Sequence, residues 1–248
     1  MPHDSPIPTS LARALLTAGL LLLTAVAACS SGGSSADTPA EGAPAGSARF
    51  GFDADPAGGV PRGWHVAGTR SGVGGPGAGV ATWAVTADAS APSPGQVLAL
   101  TESSHGQGGT YNLCWTRDVS FRDGRLSVAF KAVSGEEDQG GGLIWRARDH
   151  DNYYVCRANP LEGNFRVYRV VSGVRNQLGT AAVDCAPGTW HAIEVLADGP
   201  RITCTLDGTT RLQATDDALT EAGGVGLWTK ADAVTSFDDL QIDDPRTR

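Results

Sequence analysis

The sequence predicts an all-β fold, a two-sheet antiparallel jelly-roll sandwich. From Arg49 onward no stretch has the apolar period of a helix. Instead, short runs with strand character alternate with Gly, Pro, Asp and Asn. Within these runs apolar and polar residues alternate, which indicates one buried and one wet face per strand. Many such strands are buried most economically as two sheets packed face to face.

The first 28 residues read as a lipoprotein signal peptide. Arg13 precedes an apolar run from Leu15 to Ala28, and ~14 residues fall short of the ~20 that a membrane-spanning helix needs. Val26-Ala27-Ala28-Cys29 resembles a lipobox, so we expect cleavage before Cys29 and lipidation of its thiol. An ordinary signal peptide is the alternative, although it would not require the Cys.

The rest of the chain divides into a tether and one domain. Residues 29–48 are mostly Ser, Gly, Ala and Pro, which predicts a flexible tether behind the lipidated Cys29. Residues 49–248 suffice for one jelly-roll domain. We therefore expect an extracytoplasmic lipoprotein in the cell membrane or the outer membrane, with the membrane as a partner. The net charge of −8 disfavours nucleic acid as a partner.

Four further cysteines are an even number in a compartment that permits disulfides, which predicts two bridges. Their spacing leaves all three pairings open, and buried free thiols are the alternative. The wide intervals do not match the close Cys pairs of zinc sites. The four residues are Cys114, Cys156, Cys185 and Cys204.

Two meanders carry the clearest strand signals. The first is predicted at Gly124–Val133, Gly142–Arg148, Tyr153–Asn159 and Asn164–Val171. The second is predicted at Trp190–Leu196, Arg201–Leu206, Thr209–Ala214 and Gly224–Thr229. Asp207-Gly208 inside the second is a tight-hairpin signal.

The two ends of the domain also look like strands. Phe50-Gly51-Phe52 lies at the start and Thr235–Ile242 at the end. Pairing them would cover exposed sheet edges, so we expect them to pair.

A series of motifs resembles a known family. The motifs are Glu136-Glu137-Asp138-Gln139, Gly142-Leu143-Ile144-Trp145-Arg146, Asp151-Asn152-Tyr153-Tyr154, Arg157-Ala158-Asn159-Pro160-Leu161-Glu162 and Val225-Gly226-Leu227-Trp228-Thr229-Lys230-Ala231-Asp232. Their order is similar to that of bacterial exported proteins with a concanavalin A-like or laminin-G-like jelly roll, related to 3-keto-disaccharide hydrolase (glycoside-hydrolase-like) domains. The resemblance covers roughly residues 91–242. It implies a sugar-related role, with a concave sheet and its loops presented to glycans.

Seven residues on the first meander are candidate carbohydrate ligands. Aromatic rings suit the apolar faces of sugars, and fixed polar groups suit their hydroxyls. The alternative is that the aromatic residues belong to the core and that the arginines make cross-strand contacts. The seven are Trp145, Arg146, Asn152, Tyr154, Arg157, Asn159 and Glu162.

Three acidic residues are candidate metal ligands, although no cofactor is required. Glu136 and Asp138 share an acidic loop, and Asp238 could meet Asp53 or Asp55 if the ends of the domain pair. Their hard oxygens would suit Ca²⁺. Solvated turns and surface aspartates are the alternative.

No catalytic set is evident. The strand motif Glu-x-Asp-x-x-Glu of laminarinase-type enzymes is absent, and so is a GxSxG elbow. We therefore expect a surface or periplasmic lipoprotein that binds carbohydrate. One alternative is a hydrolase or lyase acting on 3-keto-glycosides, with Glu162 or His150 as the base. The other is a structural module that binds protein.

Overall fold

The computed structural model describes residues 47–70, 80–93, 95–103 and 110–244. The predicted signal peptide, Cys29 and nearly all of the tether lie outside these residues. None of the described residues forms a helix that could cross a membrane. They form fifteen strands: β1 Ala48–Phe50, β2 Trp64–Arg70, β3 Thr82–Asp88, β4 Gly95–Glu102, β5 Thr110–Phe121, β6 Gly124–Ser134, β7 Gly141–Asp149, β8 Asn152–Asn159, β9 Asn164–Val171, β10 Val174–Ala182, β11 Trp190–Asp198, β12 Arg201–Leu206, β13 Thr209–Thr215, β14 Gly223–Lys230 and β15 Val234–Asp243.

The strands make two antiparallel sheets that pack as a sandwich, which confirms the predicted fold class. The first sheet has the order β13-β12-β11-β6-β15-β4-β3, and β1 adds to it by pairing with β15. The second sheet has the order β10-β9-β8-β7-β14-β5-β2. Strands adjacent in space are often distant in sequence, as when β15 lies between β6 and β4. Such crossovers are typical of a jelly roll.

The main core lies between the sheets. On β6 the predicted apolar alternation holds, because Leu126, Val128, Phe130 and Ala132 are all buried. The second sheet contributes Leu143, Trp145 and Phe165 to the same cluster. The hydrophobic effect therefore joins the two sheets along inward-facing residues.

The ends of the domain pair as expected, with one shift. Ala48 stands opposite Ile242, and Phe50 stands opposite Leu240. The first strand nevertheless ends at Phe50, and Phe52 lies in the following turn with φ of 60°. The prediction that Phe50–Phe52 is the strand is therefore wrong by two residues.

The cysteines correct the disulfide prediction. Cys114, Cys156, Cys185 and Cys204 are all free, buried thiols. Cys114 and Cys156 share the second sheet with β14 and β7 between their strands, which separates them by ~14 Å at ~4.8 Å per strand. Cys156 has Cys204 of the first sheet beside it; burial and this neighbour raise the pKa of its thiol. The separation of Cys114 from Cys156 excludes the pairing that joins them, and the structure shows no disulfide among the four.

The second sheet also buries its outer face. Thr69 on β2 is hydrogen-bonded to Tyr153 on β8, at 2.8 Å between the two hydroxyl oxygens. Three strands lie between them, so a flat sheet would hold them ~19 Å apart. The sheet therefore curls, and its outer face is concave. A second apolar cluster fills part of this face: Tyr111, Leu113, Trp115, Ile144, Ala147, Tyr153, Val155, Tyr168, Val170 and Trp228.

Candidate functional site

Charged and amide side chains gather on the polar part of the concave face. On β8, Arg157 and Asn159 alternate with the inward-facing Ala158, as the two-residue period of a strand requires. Neighbouring strands and loops complete the group. We call it the Arg157 cluster; its members are Asp138, Arg157, Asn159, Glu162, Asn164, Arg166, Tyr168 and Lys230.

Arg157 is the centre of the cluster and is only 2% exposed. Its guanidinium donates to Asn164 Oδ1 at 2.6 Å and to Glu162 Oε2 at 2.9 Å. It also lies 3.4 Å from the Tyr168 hydroxyl oxygen. Its buried Nε finds no hydrogen-bond partner in the part of the chain that the structure describes. The side chain is thus fixed in place with one donor unused.

Glu162 is held by three donors. Its Oε2 accepts from Arg157, from Asn164 Nδ2 at 2.9 Å and from Arg166 at 3.2 Å. Burial alone would raise the pKa of Glu162, but the hydrogen bonds from Asn164 and Arg157 and the nearby arginine charges lower it to about 2. Glu162 is therefore ionised at neutral pH and is a weak base.

Asp138 is the second carboxylate of the cluster and is 1% exposed. It accepts from Lys230 Nζ and from Asn159 Nδ2, at 2.9 and 3.0 Å. Burial raises the pKa of Asp138, and the hydrogen bond and charge of Lys230 only partly offset this. The charge of Glu162 raises it further. The pKa values of Asp138 and Glu162 are thus shifted in opposite directions.

Asp232 positions the loop that carries Asp138. Its carboxylate accepts the backbone N–H groups of Glu136 and Asp138, at 2.7 and 2.9 Å. Burial would raise the pKa of Asp232, but these backbone hydrogen bonds lower it. The β6–β7 loop is thereby fastened to the turn between β14 and β15.

Aromatic rings adjoin the cluster. The guanidinium carbon of Arg175 on β10 lies 4.4 Å from the ring centre of Tyr168 and 4.7 Å from that of Tyr111. Trp228 Nε1 donates to the Tyr153 hydroxyl at 3.2 Å. Trp228 is buried, whereas Lys230, two residues further along β14, reaches the cluster.

The structure brings together three of the seven predicted ligand residues, namely Arg157, Asn159 and Glu162. Trp145 and Tyr154 point into the core, where they stand opposite each other and stack with ring centres 5.4 Å apart. The Tyr154 hydroxyl donates to Asp216 Oδ1 at 2.6 Å. Their proposed role as sugar platforms is therefore wrong.

Arg146 and Asn152 are also structural. Arg146 has φ of 47° in a bulged part of β7, and its guanidinium donates to the Leu219 carbonyl at 2.9 Å and the Gly199 carbonyl at 2.7 Å. Asn152 closes the β7–β8 turn, where its Nδ2 donates to Asp149 at 2.8 Å. Neither reaches the Arg157 cluster, because both lie near the other end of β7 and β8.

The predicted calcium ligands are not grouped with other metal-ligating side chains in the described residues. In the described ranges, no three His, Cys, Asp or Glu side chains are grouped to hold a metal ion. Glu136 is exposed, and Asp138 is paired with Lys230. Asp238 accepts from the Ser93 N–H and hydroxyl, both at 2.9 Å. Asp138 and Asp238 are thus hydrogen-bonded to protein groups.

His150 is remote from the cluster. It is half-exposed in the β7–β8 turn, 3.6 Å from Asp151. Glu162 follows the opposite end of β8, ~23 Å away at the rise of a strand. The two alternative bases therefore belong to different places in the fold.

Sequence reasoning missed Asn164, Arg166, Tyr168 and Arg175. The first three alternate along β9 and face the same side as Arg157, which stands directly opposite Arg166. Their period of two is a signal that could have found them. Arg175 lies on β10, which the sequence did not reveal as a strand.

A family model of the 3-keto-alpha-glucoside-1,2-lyase-like domain matches residues 59–243. The chain belongs to this family. The match includes every member of the Arg157 cluster, so the cluster is part of the 3-keto-alpha-glucoside-1,2-lyase-like domain itself. No curated protein matches the chain.

Solved structures share the fold of this domain. The carbohydrate binding module CBM66 from Bacillus subtilis has 16% identity and a TM-score of 0.53, over 72% of this chain and 93% of that one. The Bacillus licheniformis beta-glucanase has 13% identity and a TM-score of 0.53, over 80% and 98%. Domain 4 of AbnA, a GH43 extracellular arabinanase from Geobacillus stearothermophilus solved with arabinotriose, has 16% identity and a TM-score of 0.52, over 79% and 91%.

Proposed function

We propose that this domain binds carbohydrate at the Arg157 cluster. The observation that carries the proposal is the fixed array of donors and acceptors on a concave face. Arg157 is buried and held by Asn164 and Glu162, while Glu162 and Arg166 are partly open to solvent, at 36% and 29% exposure of their side chains. Polar groups that are already oriented can bind sugar hydroxyls with little loss of side-chain entropy.

The structural neighbours support a sugar ligand. One is named a carbohydrate binding module, and another was solved with arabinotriose. Those ligands are properties of those proteins. They support the proposal because this chain shares the fold of those proteins.

A second candidate function is turnover of 3-keto-glycosides by a lyase or hydrolase. The family description names such an activity, and Asp138 and Glu162 have pKa values shifted in opposite directions. Carboxyl groups separated in this way can divide the roles of acid and base. Glu162 is nevertheless a weak base, and Asp138 is buried against Lys230. For these reasons we place binding first.

The experiment that decides between them is a glycan array together with a panel of 3-keto-glycosides, both with the purified full chain. Saturable binding without product, lost in Arg166→Gln, supports the binding function. The matched control is Arg125→Gln, which removes a partly exposed arginine from β6 of the other sheet. Product formation would establish the enzyme instead. If the chain shows no sugar binding and no product formation, a protein-binding module would be favoured.

We also propose that a lipid on Cys29 holds the domain at the extracytoplasmic side of a membrane. The support is the apolar run and the lipobox-like sequence before Cys29. The tether that follows would allow the domain to reach a polysaccharide near that surface.

A further inference from the structure

Three arginines meet around Tyr168. The guanidinium groups of Arg157 and Arg166 each lie 3.4 Å from its hydroxyl oxygen. The guanidinium carbon of Arg175 lies over its ring, 4.4 Å from the centre. Arg157 and Arg166 also stand directly opposite each other on β8 and β9, where like charges repel. Three cations thus share one small region of the concave face.

The protein supplies too little negative charge to balance them. Glu162 is shared between Arg157 and Arg166. Asp138 is paired with Lys230. Among the described residues, no carboxylate forms an ion pair with Arg175. This positive region is set in a chain whose net charge is −8, so a general surplus of basic residues does not explain it.

Two of the guanidinium groups have unused donors. Arg157 Nε and Arg175 Nη1 are buried atoms without a hydrogen-bond partner. A buried charged donor without a partner costs more free energy than a neutral one, so such groups are usually satisfied. Arg166 and Arg175 are only partly buried, which leaves an approach from solvent.

We propose that the carbohydrate ligand is acidic and that its carboxylate binds to Arg175 and Arg157 beside Tyr168. The inference rests on the proposed function, since it names the class of sugar that the same site takes. A planar guanidinium pairs with a carboxylate through two parallel hydrogen bonds. The rings of Tyr111 and Tyr168 hold the Arg175 guanidinium in place for this contact. The class of sugar that meets this requirement is a carbohydrate that contains uronic acid.

Calorimetry on the full chain tests this with oligouronates and their carboxyl-reduced counterparts of the same length and linkage. We use galacturonate, glucuronate and mannuronate series. At least one oligouronate binds ~10-fold or more tightly than its reduced counterpart, as the loss of a charge-assisted hydrogen bond predicts. The difference shrinks at high ionic strength because salt screens the partly exposed charges.

Arg175→Gln is the variant of choice, because loss of the Arg175 guanidinium group leaves no carboxylate without a partner. It weakens oligouronate binding ~10-fold and changes binding of the reduced counterpart little. Arg211→Gln, an exposed arginine on β13 of the other sheet, is the matched control and leaves both unchanged.

Each other outcome overturns the inference in a distinct way. Equal affinity for the oligouronates and the reduced sugars would contradict the proposal of an acidic ligand. It would still support carbohydrate binding. A sulfated neutral oligosaccharide is included as a further probe. If it binds more tightly than the oligouronates, the site recognises a sulfate group and the proposal of a carboxylate ligand is contradicted. If the chain binds none of the sugars, the proposed carbohydrate-binding function is contradicted as well.

Discussion

Glu162 shows how one side chain links stability to the site. Burial disfavours its charge, yet Asn164, Arg157 and Arg166 bind the carboxylate and lower its pKa to about 2 from an ordinary 4.5. Folding therefore favours the ionised form. The resulting stability is present above pH 4.5 and is lost as the pH falls towards 2. Because the side chain is partly exposed, solvent screening reduces the size of the effect.

We predict that Glu162→Gln reduces the free energy of unfolding at pH 6 and reduces it less at pH 3. The reason is that the wild-type carboxylate loses its stabilising charge in the acid range, whereas glutamine does not titrate. Urea denaturation at the two pH values measures both differences. Glu221→Gln, on the exposed loop before β14, is the control and shows little change. An equal loss at both pH values would contradict the pKa assignment.

At the scale of elements, the β8–β9 hairpin and the β6–β7 loop build the site. Both depend on close backbone approach to β7. At Gly142 a Cβ atom would lie 2.0 Å from the Cys156 carbonyl oxygen and 2.7 Å from the Arg157 Cα. Only glycine therefore allows β7 to pair this closely with β8, the neighbouring strand that carries Arg157.

Gly142→Ala is predicted to lower the free energy of unfolding by ~1–3 kcal/mol or more, because the added methyl group meets backbone atoms that cannot move freely. Thermal and urea unfolding give the measurement. The matched control is Gly59→Ala, where no atom lies within 4 Å of the new Cβ, and it changes stability by less than ~0.5 kcal/mol. Equal effects of the two substitutions would refute the packing argument.

Most strands could be predicted from the sequence, but the orientation of those in the second sheet could not. On β6 and β12 one face is polar, so the alternation identifies the buried residues. Strands β7 and β8 are buried on both faces. Their sequence pattern has no polar face that would show which residues point into the core. The sequence therefore predicts Trp145 and Tyr154 on the ligand-binding face, whereas they lie in the core between the sheets. Arg157, Asn159 and Glu162 were found because polar groups mark the turn between β8 and β9.

For the whole molecule, an acidic chain presents a cationic site on one concave sheet. Net charge of −8 keeps weak association with other acidic surfaces low, while the local arginines attract an anionic group. The tether predicted at residues 29–48 would let this face search the space near a membrane. Anchoring and binding would then act together by raising the local concentration of the domain.

Replacing Cys29 by Ser is predicted to release the protein from the membrane fraction, because the substitution removes the thiol that we propose to be lipidated. Labelling with a palmitate analogue and cell fractionation measure the effect. Ser30→Ala, one residue further on, keeps the thiol and serves as control. Unchanged membrane association of Cys29→Ser, or a wild-type chain without label, would contradict the anchor.

The measurement that tests the central claim most directly is hydrogen exchange of the full chain with and without its best array glycan. We predict new protection in the β6–β7 loop, residues 135–140, and in the β8–β9 turn, residues 160–163, because both carry groups of the Arg157 cluster. The strands of the first sheet should not change. Protection confined to the first sheet, or none with any glycan, would contradict the claim that this concave face binds carbohydrate.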